Sequence, residues 1–374
     1  MTITSWPASN LSTMERSARF DRVRREISRH RVDALLVTKL VNLRWLTGFS
    51  GSAGMLLILP HRSVLITDGR YREPASAELA AARVDTELAI TSAPGEVLSE
   101  LSREEGLARV AAEADDLSWA SAQVADTNWF PGAELVPTTG LIESLREVKE
   151  PTEIARAEAA AGIADAALTE VVPMLRAAAT EVEVAVALES AMRRLGAEEP
   201  AFDTIVASGP NSAVPHHRPT GRVIEQGDLV VIDMGATVDG YRSDMTRTFV
   251  IGEPDDTARR LLEVVAAAQA AGVEEVVAGR PCRDVDAAAR RVVAEAGWAE
   301  AFVHSTGHGV GLEIHERLRL AATSDDTLAV GHVVTVEPGV YLPGFGGVRI
   351  EDTVEVTGTG CRRLTRSSHH TVIG

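Results

Sequence analysis

The sequence predicts an α+β protein in two parts: a smaller α/β domain over residues 1–141 and a larger α+β domain over residues 142–374. Two observations carry this. Helix and strand patterns alternate up to about Leu141, as in a layered α/β domain. The remainder runs helices, acidic hairpin, helices, acidic hairpin. That weak internal duplication implies an antiparallel sheet with helices packed on one face. A chain of 374 residues is long enough for two cores.

Composition narrows the possible partners. Apolar residues make up 45% and charged residues 24%, which suits a soluble globular chain. The net charge of −17 opposes nucleic acid and anionic membrane, both of which need basic patches. Cys282 and Cys361 alone make no disulfide framework, so a reducing cytoplasm is expected. The first twenty residues lack an apolar core of signal-peptide length, and runs such as 55–59 are too short to span a bilayer.

In the first part, Met14, Phe20, Val23 and Ile27 recur at helical spacing, so residues 12–30 read as a helix. DALLVT (33–38) is a buried strand, residues 55–59 and 63–67 are two more, and 74–83 is a short helix. Residues 86–91 and 109–112 read as further strands. There is no phosphate loop, and His30, His61 and Asp68 are scattered, so nothing here reads as catalytic. The boundary falls near the charged stretch 143–152, with Pro151 and Glu153 opening a helix.

In the second part, residues 153–176 and 181–195 are helices, 202–208 is a strand, and 209–220 is a loop holding His216 and His217. Residues 229–234 and 242–250 form a hairpin turning on Asp239-Gly240, a strong turn pair. A turn centred there places Asp233 opposite Thr246 and makes Asp244 the diagonal neighbour of Asp233 on one face, roughly 7–8 Å away between backbones. Two carboxylates aimed at one partly buried spot repel unless a proton or a metal lies between them. Metal is the expectation; two solvated hairpin acids are the alternative. Residues 256–271 and 284–296 are helices, 303–315 is a Gly-punctuated loop with His304, His308 and His315, and 333–336 is a strand ending at Glu337. Residues 347–356 form a further strand with Arg349, Glu351 and Asp352.

Asp233, Asp244, His308, Glu337 and Glu351 therefore sit at strand ends, on inner faces or in a glycine-rich loop. Buried acids need partners, and no Lys or Arg run neutralises four of them. A pair of divalent ions would. Four carboxylates and one imidazole suit Mn²⁺, with Zn²⁺, Co²⁺ and Fe²⁺ also open. The glycines flanking His308 let backbone approach closely.

Five blocks now carry a resemblance: VPHHRP, IDMGATVDGYRSDMTRTF, HSTGHGVGLEIHE, VTVEPGVYLPGFGGVRIED and, earlier, LTGFSGSAG with TDGRY. In this order and near this spacing the chain resembles the Xaa-Pro peptidases (prolidase and aminopeptidase P type) of the creatinase/methionine-aminopeptidase "pita-bread" clan, with a creatinase-type N-terminal domain. The resemblance implies hydrolysis of the bond between an N-terminal residue and proline by a water or hydroxide bridging two metal ions. It implies that Asp233 chelates one ion, Asp244 and Glu351 bridge both, and His308 and Glu337 complete the other. Glu337 would also move a proton toward the leaving proline nitrogen. His216 and His315 match substrate histidines, His304 a histidine of the proline pocket, and Arg349 an arginine near the substrate's carboxylate end; Tyr241 would orient groups beside the hairpin. His217, His332, His369 and His370 have no match and are expected at the surface or in packing. A homodimer acting on small peptides with proline second is implied, with no nucleic-acid or membrane partner.

One departure stands out. A Pro-containing stretch usual after His315-Glu316 is replaced by Arg317-Leu318-Arg319-Leu320, which adds a charge beside the site. The alternatives are a metal-free creatinase-like amidinohydrolase, a methionine aminopeptidase and a non-catalytic pita-bread binding protein. The filled set of five ligand positions and the N-terminal domain argue against them.

Overall fold

A computed structural model describes residues 11–177, 179–369 and 372–373. The first ten residues and His370, both touched by the expectations drawn from the sequence, lie outside that set. The chain folds into two compact units, Ser12–Arg146 and a second from Glu147 onward that also takes in Leu11.

The first unit contains α1 (Ser17–His30), β1 (Ala34–Val37), α2 (Leu40–Thr47), β2 (Met55–Ile58), β3 (Ser63–Thr67), α3 (Arg72–Ala82), β4 (Glu87–Ile90), α4 (Pro94–Glu105), β5 (Arg109–Glu113), α5 (Trp119–Val124), β6 (Glu134–Thr138) and α6 (Leu141–Arg146). Six strands form one sheet in the order β4-β3-β2-β1-β5-β6. The β1–β2–β3 ladder is antiparallel, and β4, β5 and β6 join in parallel. Leu36, Leu57, Val64, Ile66, Val110 and Phe130 pack together in its core. The first helix starts at Ser17, five residues later than its periodicity suggested. Helix α4 begins with Pro94 at its first turn and buries Leu98 and Leu101.

The second unit contains α7 (Pro151–Val171), α8 (Glu181–Arg194), β7 (Ile205–Ser208), β8 (Leu229–Met234), β9 (Thr237–Val238), β10 (Tyr241–Arg242), β11 (Met245–Ile251), α9 (Asp256–Glu274), α10 (Cys282–Glu295), β12 (Gly307–Gly309), β13 (Glu316–Leu320), β14 (Val333–Val336), β15 (Gly339–Leu342), β16 (Gly346–Arg349), β17 (Asp352–Val356), β18 (Cys361–Arg363) and β19 (Val372–Ile373). The sheet β19-β11-β8-β7 packs against α7 and α8 through Val230, Ile232, Met234, Met245 and Phe249, facing Ala160, Ala164 and Leu188. A second sheet, β13-β12-β14-β17-β18, and the β15–β16 pair back onto α9 and α10. Strand alternation sets the direction of Asp233. With the even residues of β8 committed to the helices, Asp233 is turned to the opposite face, together with Val231.

Two expectations are corrected by this topology. Residues 303–315 are not one loop: His308 stands on β12, hydrogen-bonded between β13 and β14. Residues 347–356 are not one strand. The chain leaves β16 after Arg349 and enters another sheet at Asp352, so Ile350 and Glu351 form the crossing.

Candidate metal centre

The hairpin register fixes the first two carboxylates. Asp239 (φ 49°) and Gly240 (φ 79°) both take left-handed backbone, as a tight two-residue turn between twisted strands requires. Arg156 of α7 holds the tip through Asp239 Oδ2 at 2.5 Å. The ladder then pairs Tyr241 with Val238, and Thr246 with Asp233. Asp244 and Asp233 share the face turned from α7 and α8. Two threonines of β11 stitch the second half of the site to the first. Thr248 Oγ1 donates to the Arg349 carbonyl (2.8 Å), and Thr246 Oγ1 donates to Glu351 Oε2 (2.8 Å). The Glu351 amide returns a bond to the Thr246 carbonyl (3.1 Å). Ligand atoms of Asp233, Asp244 and Glu351 thereby lie within 4.8 Å of one another.

His308 and Glu337 close the cluster. His308 Nε2 is 3.6 Å from Asp244 Oδ2 and 3.4 Å from Glu337 Oε1. Its Nδ1 lies 3.0 Å from the Gly309 carbonyl, which requires the proton on Nδ1 and leaves Nε2 as a bare lone pair. Burial pushes this imidazole down to about 4, so it is neutral. The flanking glycines are needed for close approach: a Cβ on Gly307 would stand 1.9 Å from the Thr335 carbonyl oxygen, and one on Gly309 2.2 Å from that of Arg317.

The donors fit a cation. A lone pair facing carboxylate oxygens is repulsive unless positive charge lies between them. Among the described residues, Asp233 Oδ1 and Glu351 Oε1 are buried without a hydrogen-bond partner. Burial, then Glu351, Asp233 and Glu337, hold the Asp244 carboxyl well above its usual range. Burial, then Glu337 and Asp233, do the same to Glu351, and burial takes Glu337 up to about 8. The Arg349 guanidinium, 2.7 Å from Asp233 Oδ2, brings one positive charge to this cluster of four acids. Oxygen donors with one imidazole suit a hard or borderline divalent ion.

A second layer fixes these groups. Arg247 and Asp352 pair at 2.8 Å, each side chain 1% exposed, and Arg247 also bonds the Glu351 carbonyl. Asp352 receives further bonds from Gln269, Thr365 and His369. Tyr341 gave no signal in the sequence beyond its place four residues after Glu337. Its hydroxyl bridges His304 Nε2 (2.9 Å) and Arg349 Nη1 (2.7 Å).

The cluster lines a cavity of about 720 Å³, which His216, His304 and His315 also line. His304 is pushed down to about 4, by burial and then by Arg349. His315 is lowered by burial and by Arg319, and meets His308 edge-on with ring centroids 4.4 Å apart.

Three placements differ from expectation. Tyr241 does not line the cavity: its buried hydroxyl donates to Glu153 on α7 at 2.7 Å. Arg349 lines it, but its N–H groups serve Asp233, Tyr341, Thr246 and the Pro215 carbonyl rather than an open subsite. His217, expected at the surface or in packing, is half-buried; it lines the cavity and bonds Glu181. Among the other unmatched histidines, His332 is buried and accepts the Ala329 amide. Arg317 pairs with Glu147 (3.0 Å) away from the cavity, whereas Arg319 lines it. The two part because β13 carries a bulge: His308 pairs Arg319 and Gly309 pairs Glu316, leaving Arg317 and Leu318 unmatched, with Leu318 at φ 79°.

Residues 155–358 match the metallopeptidase family M24, and residues 19–148 match the creatinase/prolidase N-terminal domain. Over 347 residues the chain is 38% identical to the uncharacterized peptidase YqhT of Bacillus subtilis, covering 91% of this chain and 96% of that protein. The solved Xaa-Pro dipeptidase from Bacillus anthracis aligns with a TM-score of 0.91 at 40% identity, over 95% of this chain and 99% of that one. The X-Pro aminopeptidase from Thermotoga maritima MSB8 aligns at 0.87 and 35% identity, over 94% and 100%.

Proposed function

This chain belongs to metallopeptidase family M24, with the pita-bread fold and a creatinase-type N-terminal domain, and on that premise we propose that it hydrolyses the bond between an N-terminal residue and proline in small peptides. The observation that carries the proposal is the buried acid cluster, with two oxygens that have no partner among the described residues, facing Nε2 of His308 in the wall of a histidine-lined cavity.

Asp233, Asp244, His308, Glu337 and Glu351 would hold two divalent ions, with Mn²⁺ expected and Co²⁺, Zn²⁺ or Fe²⁺ as the other options. When bound, such ions supply Lewis acidity and make water a nucleophile at neutral pH. The protein groups do the rest. His315 donates a ring N–H to the scissile carbonyl oxygen as it gains charge. Glu337 would accept on its carboxylate the proton that the attacking water sheds and deliver it to the leaving proline nitrogen as the carbon–nitrogen bond breaks. His216 and His304 form the walls that orient the peptide, and Tyr341 holds His304 and Arg349 in place.

The test is hydrolysis by purified protein, stripped with chelator and restored with Mn²⁺, Co²⁺ or Zn²⁺, on an Xaa-Pro dipeptide beside an Xaa-Pro-Xaa tripeptide. Metal-dependent cleavage of the dipeptide alone makes it a dipeptidase. Cleavage of the tripeptide makes it an aminopeptidase P. Cleavage of neither with any metal overturns the proposal. The same reading holds the chain to be a cytoplasmic homodimer, and light scattering that finds only monomer counts against the dimer. Among the described residues no helix is long and apolar enough to cross a membrane.

A further inference from the structure

We infer that Glu181 is a positioning residue for this reaction: its carboxylate holds the 208–220 segment so that His216 faces the reacting groups. The inference rests on the peptidase reading and deepens it.

Glu181 is the first residue of α8, and it is fully buried. Its Oε1 accepts from the Ser208 amide and hydroxyl, both at 2.8 Å, and from Asn211 Nδ2 at 3.0 Å. Its Oε2 accepts from His217 Nε2 at 2.9 Å, the Thr220 amide at 2.9 Å and the Thr220 hydroxyl at 2.7 Å. A carboxylate offers about four lone-pair sites, so six donors saturate it. Both ends of the segment and two points within it converge on one side chain. Burial raises this carboxyl, but the bonds from Asn211, His217, Thr220 and Ser208 outweigh it and take it down to about 2, so it stays ionised.

His216 lies one residue before His217 and lines the cavity, yet its ring makes no hydrogen bond to the described residues. The backbone that carries it is held by Glu181 at Ser208, Asn211, His217 and Thr220, and by Arg349 at the Pro215 carbonyl. An acid at the first turn of a helix would ordinarily be assigned to the helix dipole, worth about 0.3–1 kcal/mol. That assignment requires none of the six bonds.

Glutamine keeps the shape of Glu181 but turns an N–H₂ toward donors. The test is a double-mutant cycle on the metal-loaded enzyme with an Xaa-Pro dipeptide: wild type, Glu181→Gln, His216→Ala and the double variant. Glu181→Gln is expected to lower kcat/KM by roughly tenfold or more in the wild-type background and by less than about twofold in the His216→Ala background. Metal content should be unchanged, and amide exchange at Ser208 and Thr220 should be faster. Equal factors in both backgrounds, or an unchanged kcat/KM, overturn the inference. If Glu181→Gln does not fold, Asn211→Ala, which removes one donor, replaces it and should show the same coupling at smaller size. If the wild type cleaves no proline peptide, the peptidase reading fails, while exchange still decides the clamp: faster exchange in the variant supports it, and unchanged exchange overturns it.

Discussion

Arg247 and Asp352 form an ion pair buried behind the carboxylates they serve, 2.8 Å apart and 1% exposed on both sides. Removing one member of such a pair leaves a charge without compensation. Asp352→Ala should cost about 3–5 kcal/mol in urea unfolding. The double replacement Arg247→Met/Asp352→Leu should recover much of that, and a loss below about 1 kcal/mol for the single variant contradicts the assignment.

On the proposed two-ion reading, Glu351 is costly without an ion and necessary with one. In chelator, Glu351→Gln should melt at or above the wild type, because one crowded buried acid is gone. Added Mn²⁺ should raise the melting temperature of the wild type, by about 2.7 kcal/mol of stability at a hundred times Kd, and leave the variant unmoved and without turnover. Asp244→Ala should also lose turnover. Wild-type rates in either variant would remove the two-ion mechanism.

Tyr341→Phe deletes the hydroxyl shared by His304 and Arg349 while keeping the ring. A lost bond to a charged, buried partner is worth about 1–3 kcal/mol, so kcat/KM should fall about five- to hundredfold. An unchanged value would show that His304 is oriented by Ser305 alone.

Arg317 faces Glu147 as a half-exposed pair, and such pairs contribute at most about 1 kcal/mol. Arg317→Ala should leave relative rates on Asp-Pro and Leu-Pro within about twofold, whereas Arg319→Ala, on the cavity wall, should shift them. A specificity change in the first variant but not the second reverses this assignment.

Glu181 makes stability depend on acid. Its folded carboxyl titrates near 2, below the ordinary 4.5, so its contribution is complete above about pH 4.5 and disappears as pH falls toward 2. The stability gap between wild type and Glu181→Gln should close over that window in urea unfolding at stepped pH. A gap that persists at pH 2 means the carboxylate charge is not its source.

The hairpin was legible because its turn chemistry and its strand pattern agree. Asp239-Gly240 set the register, and the register set which face Asp233 and Asp244 occupy. Where the sequence misled, local signal was absent or ambiguous. A three-residue strand of Gly-His-Gly has no period to read, so His308 looked like part of a loop. The β-rich run at 346–356 shows no break in composition where the chain changes sheets. Glu181 and Tyr341 escaped notice because their partners are distant in sequence: Tyr341 looks like any strand aromatic, and an acid at a helix start looks like a dipole partner. Tyr241, drawn toward the site by its neighbours in sequence, belongs instead to the seat of α7.

Glu351 sits where the chain passes from one sheet to another, more than a hundred residues after Asp244. During synthesis the first two carboxylates are therefore made long before the last, and domains fold as units from the N-terminal side. An emerging chain has only half a nest for an ion. On the proposed two-ion reading, capture of both ions belongs to the last stage of maturation, after β17 has docked, and a fully loaded molecule is one whose two halves of the site have met.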